Sequence, residues 1–127
     1  MCNVLKRQEF AKWQAKEGLS DAALCRAVQE MHDGLIDADL GGALYKKRVA
    51  RSGSGKRGGY RVVLSARIGR RYVFLLGFSK NSRENITLDE RRALQFAGRA
   101  FLAMTADALS KAIRIGVLVE VQCEQDH

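Results

Sequence analysis

Residues 44–83 carry twelve Lys or Arg side chains and no Asp or Glu. The chain on either side is mildly acidic, with five basic and seven acidic groups in 1–43 and the same again in 84–127. The central stretch therefore accounts for the whole formal net charge of +8. Like charge held along so short a segment repels itself unless an anion offsets it. Any fold for this chain must bring that segment to a surface that a polyanion can reach. The phosphates of nucleic acid are the obvious partner.

The same stretch reads as β-structure. Residues 44–50 suit a strand. In YRVVLSAR (60–67), Tyr60, Val62, Leu64 and Ala66 alternate with Arg61, Val63, Ser65 and Arg67. YVFLLGF (72–78) is a more continuous apolar run, as expected of a central strand. The intervening IGRR predicts a hairpin turn. Upstream, residues 7–16 suit a helix with Phe10 and Trp13 on its core face, ended by Gly18. Ser20 is the N-cap of a second helix whose apolar stripe is Leu24, Ala27, Val28, Met31 and Leu35. Gly34 and the DADLGG segment close that helix. Downstream, Thr87 and Glu90 have the spacing of a capping box. They open one long helix with the stripe Leu94, Ala97, Phe101, Met104 and Ala108, stopped by Gly116. CNVLK (2–6) and VLVEV (117–121) suit two further short strands.

The expected architecture is α+β, one domain over 1–127. A helical hairpin and a C-terminal helix pack on a small, mainly antiparallel twisted sheet. One sheet face should be largely free of helices, so that the cations can meet a ligand. No apolar run approaches the roughly 20 residues that cross a bilayer, so no membrane partner is expected. The opening MCNVLKRQEFAKW turns amphipathic at once, unlike a signal peptide. Cys2, Cys25 and Cys123 are far apart and odd in number, without a C-x-x-C pair. They are expected as reduced thiols in a cytoplasmic protein, with no zinc site and no organic cofactor.

Two groups of residues point to chemistry. The loop ARSGSGKRGG resembles a phosphate-binding loop only superficially. Ala50 stands where the first glycine is required, and Arg57 follows Lys56 where Ser or Thr is required. Arg51, Lys56 and Arg57 are then either a cationic loop that tracks a nucleic-acid backbone or a solvated hairpin tip. The sharper group is Tyr45, Lys46, Arg48, Tyr60 and Arg61. Lys46 and Arg48 share a strand face, and pairing of strands 44–50 and 60–67 brings Arg61 beside them. Several cations and a phenol around one point could assist attack of an RNA 2′-hydroxyl on its neighbouring phosphorus. The tasks are to remove the proton, stabilise the charge on phosphorus and protonate the departing 5′-oxygen. Without positioned groups, the same set is only a face of solvated charge. Lys80, Asn81 and Arg83 follow the central strand and can add a phosphate clamp, or simply form a polar helix entry. Lys47, Arg67, Arg70 and Arg71 extend the basic surface as further RNA contacts. His32 sits on a helix and His127 at the terminus, so neither is a catalytic candidate.

Taken together, LGGALYKKRVARSGSGKRGGYRVVLSARIGRRYVFLLGFSKNSRENI, with the segments before and after it, resembles the RelE family of bacterial toxins. The resemblance implies a microbial RNase fold and ribosome-dependent cleavage of messenger RNA in the A site, leaving a 2′,3′-cyclic phosphate. It also implies inhibition by a cognate helix-turn-helix antitoxin. Carried over residue by residue, it implies Lys46 or Arg48 near the 2′-hydroxyl, with Tyr60 at the strand start. Arg61 would bind the scissile phosphate, and Lys80 or Arg83 would act at the leaving group. The late tyrosine or histidine that completes the site in some members has no counterpart here, since no Tyr follows Lys80 and the only later His is the last residue. Tyr60 or Tyr72 is the expected substitute, or else an arginine serves as the general acid. A non-catalytic nucleic-acid-binding module, or a same-fold toxin acting on gyrase, is the alternative reading.

Overall fold

A computed structural model describes residues 3–51 and 55–123, with Arg51 and residues 55–58 described at the backbone only. In chain order the elements are β1 (Asn3–Arg7), α1 (Gln8–Glu17), α2 (Asp21–His32), β2 (Ala38–Gly41) and β3 (Leu44–Arg51). They continue with β4 (Gly55–Arg67), β5 (Arg71–Ser79), α3 (Leu88–Leu102), α4 (Ala106–Arg114) and β6 (Leu118–Glu120). The strands form one mixed sheet in the order β2-β3-β4-β5-β1-β6. β1 pairs in parallel with β5, and the other ladders are antiparallel.

Side-chain alternation builds a core on each side of the sheet. Tyr60, Val62, Leu64 and Ala66 of β4 join Tyr72 and Phe74 of β5 against Phe10 of α1 and Leu24, Val28 and Met31 of α2. Val63, Val73 and Leu75 face the other way, against Leu94 and Leu102 of α3 and Leu109 and Ala112 of α4. Helices therefore cover both faces, contrary to the expectation of one open face. The reason lies in β5, whose residues Tyr72 to Leu75 are all buried and need a cover on each side. Two glycines permit the close approach. A Cβ on Gly98 would overlap Ser65 of β4, and one on Gly77 would overlap the Trp13 ring.

Three other features depart from the sequence reading. The DADLGG segment contains a strand, β2, which pairs with β3. The C-terminal helix is broken: Thr105 accepts the Ala108 N–H at 3.1 Å and caps a separate α4. Finally, Cys25 and Cys123 form a disulfide rather than two free thiols. The chain after β6 folds back towards α2, with Val121 N–H donating to Val4 O and Gln122 N–H to Asp21 Oδ2, both at 2.9 Å. That return path brings together cysteines 98 residues apart. Burial pushes the Asp21 carboxyl up, but the Gln122 N–H, Gln14 and Lys6 together hold it below its ordinary value. No described helix is long and apolar enough to cross a membrane.

Candidate active site

β3 and β4 pair so that Lys46 lies opposite Val63 and Arg48 directly opposite Arg61. Parity along these strands puts Lys46, Arg48 and Arg61 on the face covered further along by α3. Helix α3 starts only at Leu88, so this end of the sheet stays open. The loop after β5 closes one side of the opening. The result is a cleft of about 240 Å³ lined by Asp37, Lys46, Arg48, Arg61, Lys80, Arg83 and Glu84, with Ala38 at its edge. It is smaller than the roughly 300–1,000 Å³ of sites that enclose a drug-sized ligand, and it suits a phosphodiester better than a whole cofactor. A larger hollow of about 750 Å³ lies between α2, α4 and the C-terminal segment. Among its described lining residues Arg71 alone is cationic, so the smaller cleft, with five cations, is the better candidate.

Cations crowd this cleft. Two arginines opposed across a ladder repel each other. The Nη1 atom of Arg61 is buried and has no hydrogen-bond partner among the described residues. A buried guanidinium nitrogen without an acceptor carries an uncompensated desolvation cost. An anion in the cleft would offset the repulsion between Arg48 and Arg61. Arg83 is held by Glu90, through Nη1 at 2.7 and 2.9 Å from the two carboxylate oxygens. Its guanidinium also lies 5.0 Å from the centroid of the Phe78 ring.

The same parity corrects two sequence expectations. Lys47, expected on RNA, points to the opposite face and is 2% exposed, with Nζ 2.7 Å from Glu30 and 3.5 Å from Asp37. Tyr60, expected in the site, is buried beneath the α1 side. Its ring meets Trp13 edge-on and its hydroxyl donates to Glu17 O at 3.3 Å. Tyr72 is no substitute. It is fully buried on that same face, and its hydroxyl accepts the Gly69 N–H. Tyr45 also packs on that side. None of these three tyrosines lines the cleft, so its proton-exchanging groups are Lys46, Lys80 and the carboxylates of Asp37 and Glu84.

Arg67, Arg70 and Arg71 form a separate cluster at the β4–β5 turn, around a hollow of about 500 Å³. Arg67 ends β4, about 20 Å from Arg61 at the usual rise along a strand. Within this cluster one edge of the Arg71 fork is committed to the protein itself. Its Nη1 donates to the carbonyls of Phe101, Leu102 and Met104 at 2.9–3.2 Å, satisfying the C-terminus of α3. The side chains of Arg51, Lys56 and Arg57 lie outside the described residues.

Sequence reasoning misses Asp37 and Glu84. Asp37 enters because its Oδ2 accepts the Arg48 N–H at 2.6 Å, at the mouth of the β2–β3 hairpin. Recognising β2 would reveal it. Glu84 sits one residue beyond the acid-free stretch, and a search for clustered cations passes it by.

A comparison with curated proteins returns no match. A family model described as the RelE toxin of the RelE/RelB toxin–antitoxin system matches residues 2–121. That match spans every element of the fold, the two sides of the cleft included, and the chain belongs to the RelE toxin family.

Proposed function

We propose that this toxin is a ribosome-dependent endoribonuclease that cuts messenger RNA within the Lys46–Arg48–Arg61–Lys80 cleft. The observation that carries the reading is the opposed Arg48–Arg61 pair in a cleft that Lys46, Lys80 and Arg83 also line. Such an arrangement is poorly satisfied alone and well satisfied around a phosphate.

In the reaction, the 2′-oxygen attacks the adjacent phosphorus as its proton passes to a base. A bond from 2′-oxygen to phosphorus forms. The bond from phosphorus to the 5′-oxygen breaks, and the departing oxygen takes up a proton. The products are a 2′,3′-cyclic phosphate and a free 5′-hydroxyl. Arg61 and Arg48 hold the non-bridging oxygens and stabilise the extra charge in the transition state. Lys46 lies beside the attacking hydroxyl, and Lys80 and Arg83 face the leaving oxygen. Arginine cannot give up its proton at working pH, so proton exchange falls to Lys46, Lys80 or the two carboxylates. The shallow cleft offers no deep pocket for a base. Much of the substrate alignment then comes from the ribosome, which presents the codon in its A site. Family membership implies an antitoxin partner, and a helix-turn-helix protein that covers this cleft would silence it.

The test is induced expression followed by mapping of transcript 5′ ends. The expected result is new ends inside codons of translated messages within minutes of induction. Growth arrest with intact messages and an early DNA-damage response would instead point to gyrase and reject the nuclease reading.

A further inference from the structure

Glu90 stands just behind the cleft and does not line it. Its T-x-x-E spacing with Thr87 reads as a helix cap, and the cap is present: Thr87 Oγ1 accepts the Glu90 N–H at 3.1 Å, and Glu90 Oε1 accepts the Thr87 N–H at 2.9 Å. The same carboxylate does something the cap does not require. Both of its oxygens accept from Nη1 of Arg83. Phe78 packs under the guanidinium at 5.0 Å. The Thr87 N–H, and after it Arg83, hold the Glu90 carboxyl below its ordinary value, so it is anionic.

An arginine at a surface normally samples many rotamers, and it must give up that freedom when it grips an anion. Arg83 is 35% exposed, yet it is fixed on two sides by Glu90 and Phe78. Its Nε and Nη2 have no hydrogen-bond partner among the described residues. One edge of the fork is therefore anchored and the rest is left for a ligand.

We propose that Glu90 is a positioning residue that presets Arg83 as a phosphate ligand at the leaving-group side of the cleft. Through the capping box it also ties that ligand to the first turn of α3. The proposal rests on the reading of the cleft as an RNA-cleaving site.

Glu90→Gln separates the two roles, because Gln also serves at this position of a capping box but lacks the charge and the second anionic oxygen. In a ribosome-programmed cleavage assay, Glu90→Gln should lower kcat/KM about tenfold through misplacement of Arg83. Arg83→Ala should lower it about a hundredfold. The double variant should be no slower than Arg83→Ala alone. Thr87→Ala, which weakens the cap but leaves the Arg83 contact, should lower the melting temperature without changing the rate. Three results would overturn the proposal: unchanged activity in Glu90→Gln, multiplying defects in the double variant, or an equal rate loss in Thr87→Ala. If the parent protein cleaves nothing, the reading of the cleft falls instead. The same cycle, measured as affinity for a single-stranded RNA oligonucleotide, then still decides whether Glu90 acts through Arg83.

Discussion

Arg61→Ala should lower RNA cleavage by about 10²–10³-fold, the scale for losing one preorganised donor to a developing anion. It should leave the fold intact. The two effects have a common origin. Val62 and Val63, which follow Arg61, and Tyr60, which precedes it, are buried and keep β4 in place whatever occupies position 61. The guanidinium itself contributes little to the free protein. Its Nη1 is buried without an acceptor, and Arg48 faces it across the ladder. Relieving an unsatisfied buried donor is worth about 1–3 kcal/mol. Loss of packing by the aliphatic stem offsets part of that gain, and the Ala variant should thus melt at the parent temperature or up to a few degrees above it. Calorimetry and the ribosome-programmed cleavage assay, run on the same preparation, check both halves. A variant that loses activity only because it unfolds would mean that Arg61 is a structural residue.

Lys47→Ala should do the opposite. Lys47 Nζ is the cation between Glu30 and Asp37, and the residue is 2% exposed while its partners are 21% and 29% exposed. Its removal takes from two partly buried carboxylates the cation they share. Breaking a buried pair typically costs about 3–5 kcal/mol, and the partial exposure of the acids places this case at the lower end. For a domain of this size, about 3 kcal/mol is a fall of roughly 10 °C in melting temperature. Thermal unfolding monitored by circular dichroism measures it. A variant with unchanged stability but weakened RNA affinity would show that Lys47 reaches the ligand after all.

The contrast between these neighbours shows what is legible in the chain and what is not. Two-residue periodicity is enough to group Lys46 with Arg48 and to bring Arg61 opposite them. Applied consistently, it also sends Lys47 and Tyr60 to the other face, although both adjoin site residues in the chain. The unbroken apolar run of β5 already calls for helices on both sides, against the expectation of an open sheet face. The site survives because α3 starts late, a matter of helix placement and not of strand pattern. β2 cannot be read locally, since Ala38–Gly41 has few β-formers and its pairing is imposed by β3. The break between α3 and α4 has no Gly or Pro to mark it. Of the expected stripe Leu94 is buried and Phe101 and Met104 pack at the core's margin, while the buried row of α3 runs through Gly98 and Leu102. The Cys25–Cys123 link depends on a return of the chain that no spacing rule foretells. The family resemblance is legible in the basic block and its flanks, and the family model confirms it over residues 2–121.

Attack by the 2′-oxygen is tested by replacing one 2′-hydroxyl by hydrogen at a mapped cleavage site in a message held on the ribosome. Cleavage at that linkage should vanish, while cuts at unmodified codons and the affinity of the protein for the ribosome stay unchanged. Continued cutting at the deoxy linkage would contradict attack by the 2′-oxygen and, with it, the catalytic role of the Lys46–Arg48–Arg61 cleft.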